Sequence, residues 1–365
     1  MSTTAPVSAS AMPDKLSPNR LWRKMLAFGV LTVLVAVAVL TAPGLGELRH
    51  QIARAEPAWL LVAVGLEVLS ALSYVVTFRA VFCPAMSWRL SYQIGMSEQA
   101  ANAVLSVSGT GGLALGAWAL RRGGMSAQSI GRKSVAFFLL TSLANVFTVF
   151  AVAALYAVGI LQNDRDAALT YGFGAAALLA TLLVLALPSR IGHRALAPQK
   201  TDGGRLAVAG RFLRRSLREG VPDAVLLLRR RSPGVVLGSL GVMGFDLAVL
   251  GACFIAFGHL PPLGVLALGY LIGQLGGNLP TPGGVGGVDL GLIGVFVLYH
   301  QPVAVTTAAV LVYHAISLWI PGLLGSVEFV RLRRTLQREE KPEVICTPLA
   351  EWSPRPTVVS TESVQ

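Results

Sequence analysis

Charged residues are scarce in this chain of 365 residues: Asp, Glu, Lys and Arg together make up 13% of it, whereas hydrophobic residues make up 54%. A soluble domain carries about 25% charged residues, so water cannot be the main solvent of this chain. The mean hydropathy of +0.64 agrees with that conclusion. We therefore predict an all-α integral membrane protein, because helices bond their own backbone groups inside a lipid bilayer.

Cysteine is rare as well, and the sequence motifs of common enzymes are missing. The three cysteines, Cys83, Cys253 and Cys346, are odd in number and unrelated in spacing, so we expect reduced thiols rather than disulfides or a metal site. The sequence contains no G-x-S-x-G, no Walker A sequence and no Cys/His cluster. These absences favour a protein that is not an enzyme and that needs no cofactor.

Acidic residues are few: 18 Asp and Glu stand against 30 Lys and Arg, which gives a net charge of +12. Nucleic-acid binding is one explanation, but cytoplasmic loops of membrane proteins also collect Lys and Arg. If the N-terminus is inside, only Arg49, Arg54 and Arg165 lie on the outer side, and eleven basic residues fall in the loop 188–233. We therefore predict a multi-pass protein of the inner (plasma) membrane, with both termini cytoplasmic and no nucleic-acid partner.

Long apolar runs define the predicted spans. A hydrocarbon core about 30 Å thick requires roughly 20 apolar residues per helix. Six runs meet that length, at about 25–42, 57–83, 134–160, 169–187, 234–258 and 303–330. They belong to a predicted transmembrane domain at residues 25–335, preceded by a cytoplasmic tail at 1–24. Residues 336–365, rich in Pro, Ser, Thr and Glu, are predicted to be a disordered cytoplasmic tail.

Two further apolar stretches, 92–120 and 263–300, are interrupted by glycine and proline. The breaks at Ser108–Gly112 and Pro280–Gly287 cannot continue an α-helix, so they expose backbone N–H and C=O groups. Such backbone is tolerated at membrane depth only inside protein or beside a wet cavity. We therefore predict two re-entrant hairpins, or pairs of short helices, within the bundle.

The order of these segments predicts an inverted repeat. The first unit is a span, a broken hairpin and a span, and the second unit has the same order with the opposite orientation in the membrane. Inverted repeats with broken helices at corresponding positions are typical of transporters whose substrate site lies near the bilayer midplane.

Ionisable residues within the apolar segments are the candidates for such a site, since each costs about 3 kcal/mol at a helix centre unless it is paired or wet. Glu67 and Asp246 lie in the first spans of the two units, where each either serves a site or only bonds a neighbouring helix. The glycines before Asp289 either bind an anion at a helix N-terminus or are capped by Asp289 itself.

Basic residues offer a second set of candidates. Arg121 and Arg122 end the first hairpin, where they either reach the headgroups or clamp a phosphate. The basic loop predicts an amphipathic helix on the anionic cytoplasmic leaflet, because its leucines share one face and its arginines the others. The complete set of candidate substrate-binding residues is Glu67, Glu98, Arg121, Arg122, Asp246, Gly283, Gly284, Gly286, Gly287, Asp289, Tyr313 and His314.

Two segments carry a family resemblance. The sequence NLPTPGGVGGVD at 278–289 resembles the P-x-P-G-G-x-G-x-x-E signature of the lysylphosphatidylglycerol synthase transmembrane-region family of flippase-like proteins, and LVYHAISLWIP at 311–321 is similar to its Y-R-x-x-x-x-W-L-P stretch. The resemblance extends over residues 25 to 335. Asp289 replaces the usual Glu and His314 a common Arg, so a carboxylate–guanidinium pair would here become a pH-sensitive Asp–His contact.

The resemblance implies movement of an aminoacylated phospholipid, another phospholipid or a glycolipid between leaflets. It implies anionic or aminoacylated membrane lipids as partners, and it places the family's synthetic activity in a separate domain that we expect this chain not to carry. Two alternatives remain open: a secondary transporter of a small soluble solute, and a non-transporting subunit that recruits a lipid-modifying or cell-envelope enzyme through the basic loop and the tail.

Overall fold

The computed structural model describes residues 46–104, 110–158, 205–230, 232–275 and 286–338, together with single helical positions between 23 and 41. Every regular element in these ranges is a helix, which confirms the predicted all-α fold. The helices are α1 Gly46–Ala53, α2 Pro57–Phe82, α3 Trp88–Val104, α4 Thr110–Arg122, α5 Ala127–Ala157, α6 Arg205–Arg229, α7 Pro233–Ala256, α8 Leu263–Leu275, α9 Gly287–Leu298 and α10 Val303–Arg338.

Among the described residues, four helices are long and apolar enough to cross a membrane. Their spans are Pro57–Phe82, Ala127–Thr148, Pro233–Ala256 and Val303–Gln337, and each coincides with a predicted span. The predicted spans at 25–42 and 169–187 fall almost wholly outside the described residues, as do the N-terminal tail and most of the C-terminal tail. The chain is thus a multi-pass membrane protein.

Helices α2 and α7 form the most extensive helix contact in the described part of the chain. Both begin with proline in the first turn, where its missing N–H is not needed. The Glu56 N–H, beside the start of α2, donates to the Ala256 carbonyl at the end of α7, which shows that the two helices run antiparallel. Glycine brings the two backbones together: a Cβ atom on Gly238 would lie 2.9 Å from the backbone nitrogen of Thr77.

The two broken stretches each form a pair of short, mutually packed helices, as predicted. In the first pair, the Gly112 N–H at the start of α4 donates to the Asn102 side chain of α3 at 2.7 Å. In the second pair, α8 and α9 approach closely enough that a Cβ atom on Gly291 would lie 3.1 Å from the Gly273 carbonyl oxygen. The chain between the members of each pair lies outside the described residues.

The last span of one unit packs against the short helices of the other. Helix α10 lies against α3, where a Cβ atom on Gly325 would meet the Met96 backbone and lie 2.8 Å from Ala100. Helix α5 contacts α8. This exchange of neighbours is compatible with an inverted repeat, whose symmetry remains a prediction.

Helix α6, from the basic loop, packs on the first half of α5. Its buried positions, Ser216, Gly220 and Ala224, are four residues apart and small, so the two helices approach closely. Gln128 donates to Glu219 at 2.9 Å. The predicted amphipathic helix therefore exists, but its most buried stripe faces α5, and its contact with the leaflet remains a prediction.

The ion pair between α5 and α6 explains why α5 begins seven residues before the predicted span at 134. Arg132 Nε lies 2.8 Å from Asp223 Oδ2, although the angle does not favour a hydrogen bond. Lys133, buried beside it, donates to the Phe82 carbonyl at 2.5 Å. These partners allow basic residues to continue the helix below its apolar part.

The cysteines only partly follow the expectation. Cys253 is a buried free thiol. Cys83 is disulfide-bonded, so the expectation that all three cysteines are reduced is wrong for this residue. Disulfide pairing depends on which residues the fold brings together, and the spacing along the sequence does not reveal it.

Candidate functional site

Glu67 and Asp246 face each other across the contact between α2 and α7. The Ser70 hydroxyl donates to the Val242 carbonyl at 3.1 Å. Glu67 lies about one turn before Ser70, and Asp246 lies about one turn after Val242. Because the two helices are antiparallel, Glu67 lies opposite Asp246. The Asp246 carboxyl group acts electrostatically on Glu67, which is only 4% exposed.

Two tyrosines from other helices bond Asp246. The Tyr270 hydroxyl of α8 donates to Asp246 Oδ2 at 2.6 Å, and the Tyr313 hydroxyl of α10 donates to the same oxygen at 3.1 Å. The Gln274 side chain then donates to Tyr313 at 3.2 Å. These bonds join α7, α8 and α10, and they leave the buried Asp246 Oδ1 without a hydrogen-bond partner.

Asp289 and His314 form the predicted contact. Asp289 Oδ1 lies 2.5 Å from His314 Nδ1, and both residues are buried. Asp289 Oδ2 also accepts the Gly286 N–H at 2.9 Å, which caps α9. Gly286 has φ +84°, a conformation that a residue with a side chain rarely adopts. Of the two interpretations of this helix start, capping by Asp289 is therefore the observed one, and anion binding remains untested.

These side chains make one connected group, because His314 also acts electrostatically on Asp246. We call this group the central polar cluster. It contains residues from α2, α7, α8, α9 and α10: Glu67, Asp246, Tyr270, Gln274, Asp289, Tyr313 and His314. Five of its members were predicted from the sequence, and Gly286 and Gly287 lie beside it at the start of α9.

Tyr270 and Gln274 were missed by the sequence prediction. They are the two polar side chains of α8, they lie four residues apart, and they share one face of an otherwise apolar helix. That pattern was readable in the sequence. Neither side chain is charged at neutral pH, so the cost of burying a charge, which marks Glu67 and Asp246 as candidates, does not mark them.

Glu98 belongs to a different contact. The Tyr74 hydroxyl of α2 donates to Glu98 Oε2 of α3 at 2.9 Å. On its other side the Glu98 carboxyl group presses against Gly116 of α4, which has no room for a side chain. The Glu98 carboxyl group is thus held between Gly116 and a tyrosine that lies outside the central polar cluster.

The remaining predicted residues are not brought into this cluster. Arg121 and Arg122 are exposed at the end of α4, whereas Glu67 and Asp289 of the cluster are buried. Gly283 and Gly284 lie outside the described residues. Within the described ranges, no group of three or more His, Cys, Asp and Glu side chains is placed to hold a metal ion.

Apolar spans, paired short helices and a buried polar group between them define a polytopic helical membrane protein with a candidate site inside its bundle. The chain belongs to the family described as the lysylphosphatidylglycerol synthase TM region, whose model matches residues 25–325. That family is a transmembrane region, which is not itself catalytic. Comparison with curated proteins gave no match, and comparison with solved structures gave none.

Proposed function

We propose that this protein is a flippase-like lipid translocase, which moves an aminoacylated phospholipid, another phospholipid or a glycolipid between the leaflets of the inner (plasma) membrane. The central polar cluster is the observation that supports this proposal. Ionisable side chains inside a bundle of spanning helices are costly and mark pathways for polar substrates. The family to which the chain belongs is compatible with a lipid substrate.

The cluster offers both kinds of hydrogen-bonding group to a headgroup. Glu67 Oε2 and Asp246 Oδ1 are buried acceptors without a partner. Tyr270 and Tyr313 are donors at the same place, already turned toward Asp246. A headgroup with ammonium or hydroxyl donors would bond the free acceptors, while its acyl chains remain in the bilayer.

The start of α9 adds a condition for phosphate binding. Its Gly286 N–H is occupied by Asp289. A phosphate would bind this helix N-terminus only after Asp289 moved away, and that movement would also break the contact with His314. In the observed conformation, binding of headgroup donors at Glu67 and Asp246 is therefore favoured over binding of a phosphate at the start of α9.

Helix α6 supports a cytoplasmic position for the basic loop, and with it the proposed orientation with both termini inside. Arg215, Arg218 and Arg229 are exposed on it, and Arg230 is exposed just after its end. Basic residues beside a spanning bundle interact favourably with anionic lipids, by about 1 kcal/mol per residue near the surface. We propose the anionic cytoplasmic leaflet as the partner of this face.

Reconstitution into vesicles tests the proposal. Vesicles containing the purified protein should move lipids with labelled headgroups between leaflets and should not accumulate labelled soluble solutes. Tyr313→Phe, which removes one donor from Asp246, should slow lipid movement. Tyr74→Phe removes the same hydroxyl outside the cluster and should slow it less.

Other results would contradict the proposal. Accumulation of a soluble solute without lipid movement would favour a secondary transporter. No transport of either kind, with a phenotype that depends on the basic loop, would favour a subunit that recruits an enzyme.

A further inference from the structure

The facing acids Glu67 and Asp246 each have a buried carboxyl oxygen and no Lys or Arg partner among the described residues. Glu67 Oε2 and Asp246 Oδ1 are both inaccessible to solvent, and neither has a hydrogen-bond partner. Glu67 is more than nine-tenths buried and lies opposite Asp246 by the helix register and by its electrostatic interaction. An unpaired carboxyl oxygen at this depth is a costly feature that calls for a ligand.

The groups around the pair do not supply that ligand. The Cys253 thiol of α7 lies near both acids, and the Tyr270 and Tyr313 hydroxyls already donate to Asp246 Oδ2. The His314 imidazole of α10 is within electrostatic range of Asp246, but its Nδ1 contacts Asp289.

The titratable groups on the other packed helices have partners elsewhere. Glu98 of α3 accepts a hydrogen bond from Tyr74, and Lys133 of α5 donates one to the Phe82 carbonyl. Arg132 of α5 pairs with Asp223 of α6, and Glu328 of α10 pairs with Arg331. No Lys or Arg side chain among these groups therefore compensates two ionised acids at the pair, and the imidazole within range of Asp246, that of His314, contacts Asp289.

Two facing carboxyl groups, each with an oxygen atom out of contact with water, disfavour a second negative charge on the pair. A proton on one oxygen removes one charge and supplies a donor to the facing carboxylate. The described residues provide no set of ligands for a multivalent metal ion. A proton needs only the two free oxygens that the pair presents.

We infer that Glu67 and Asp246 share one exchangeable proton, and, resting on the proposed function, that the lipid headgroup competes for this site. When a headgroup donor bonds the acids, the carboxyl O–H bond breaks and the proton passes to water on one side of the membrane. When the headgroup leaves, a proton from the other side forms the O–H bond again. A proton gradient would then drive lipid movement in one direction.

Infrared spectroscopy of the purified full-length protein in nanodiscs tests the shared proton without any transport. The protein should show a protonated-carboxyl band at neutral pH that moves in D₂O. Glu67→Gln should remove this band, because Asp246 keeps two phenol donors for its charge. Asp246→Asn should shift the band, because the proton then faces an amide. Glu98→Gln, at a buried acid outside the pair, should leave the Glu67-dependent band in place.

The band in Glu67→Gln decides the inference. A full band in that variant, with unfolding at the wild-type temperature, would overturn the shared proton. Glu67→Asp keeps the carboxyl group and should show a band. This variant is the control if Glu67→Gln does not fold.

Vesicles with an imposed pH gradient test the coupling. Headgroup-labelled lipid should move faster when the gradient is present, and its movement should change the pH of the lumen. In Glu67→Gln the rate of lipid movement should no longer depend on the gradient. Movement that follows a Na⁺ gradient instead would overturn the proton as the coupled ion. If no lipid moves but the infrared band still depends on Glu67, the proposed function fails and the shared proton stands.

Discussion

The two halves of the molecule use the same chemical contact in opposite ways. In the first half, Tyr74 on the span donates to Glu98 on the short helix. In the second half, Tyr270 on the short helix donates to Asp246 on the span. The partners are 24 residues apart in both halves, so each bond fastens a first span to the hairpin that follows it.

The surroundings of the two acids differ. Glu98 is held between Tyr74 and the bare backbone of Gly116, so its carboxyl group has a packing role. Asp246 has a second donor in Tyr313, a free oxygen, and Glu67 opposite. A tyrosine bonded to an acid thus stabilises packing at Tyr74, Glu98 and Gly116, where the space is filled, and we call this contact the brace. The same kind of bond at Asp246 belongs to a candidate site, where several helices converge on unpaired oxygen atoms. The first contact should govern stability and the second transport.

The largest expected effect is at the brace. In Gly116→Ala the new Cβ atom would collide with the Glu98 carboxyl group, so the helices must separate or the acid must lose Tyr74. Overpacking of this kind costs about 1–3 kcal/mol, and an unpaired buried carboxyl group adds to that. Thermal unfolding in detergent should therefore occur at a clearly lower temperature. Gly244→Ala is the control, because nothing lies within 4 Å of that position, and unfolding as early as in Gly116→Ala would contradict the brace.

The next effect concerns the cluster. Asp289→Asn and His314→Ala should each slow lipid movement in vesicles with little change in folded yield, because each breaks the same contact. The double variant should be little worse than either single variant, since residues that act as a pair are not additive. Transport rates for the four proteins provide the measurement. Full additivity would show that the two residues act separately.

The smallest effect is outside the bundle, at the attachment of α6. Hydrogen bonds from Gln128 and Arg215 hold the pKa of Glu219 below its usual value. Because the folded-state pKa of Glu219 is depressed, its carboxylate stabilises the contact at pH values above the usual pKa of 4.5. That stabilisation is lost as the pH falls through the folded-state pKa. The effect is small, because the Arg215–Glu219 pair is exposed to solvent.

A spin label at the exposed position Val225 of α6 would report this attachment. Its mobility should rise as the pH falls from about 6 to about 3, the range in which carboxyl groups titrate. In Glu219→Gln the label should already be more mobile at the higher pH and should respond less to acid. An equal response in both proteins would assign the change to another group.

Much of this arrangement could be predicted from the sequence, because hydropathy and glycine breaks are local signals. Length and apolarity predicted four of the observed spans, and the breaks predicted both pairs of short helices. Asp289 and His314 were expected to meet because they belong to neighbouring segments of one unit. The chemistry of a buried polar residue made Glu67 and Asp246 candidates before any contact was known.

The rest depends on contacts between distant segments. The register of α2 on α7, which sets Glu67 against Asp246, depends on close contacts such as Gly238 with Thr77, and no periodicity reports those. The stripe of small residues that packs α6 against α5 is weakly hydrophobic, so the leucine pattern of this helix does not reveal it. The sequence does not reveal that Arg121 is exposed at the end of α4 while Glu67 and Asp289 are buried, because that difference depends on tertiary packing.

Lipid movement and thermal unfolding, measured together in Asp246→Asn and Glu98→Gln, show whether the second-half acid serves transport and the first-half acid serves stability. Both changes replace an acid that accepts a hydrogen bond from a tyrosine with its amide. Asp246→Asn should lose lipid movement and unfold near the wild-type temperature. Glu98→Gln should unfold at a lower temperature and, while folded, move lipid at the wild-type rate. Equal loss of transport in both variants, or the reverse assignment, would contradict the account.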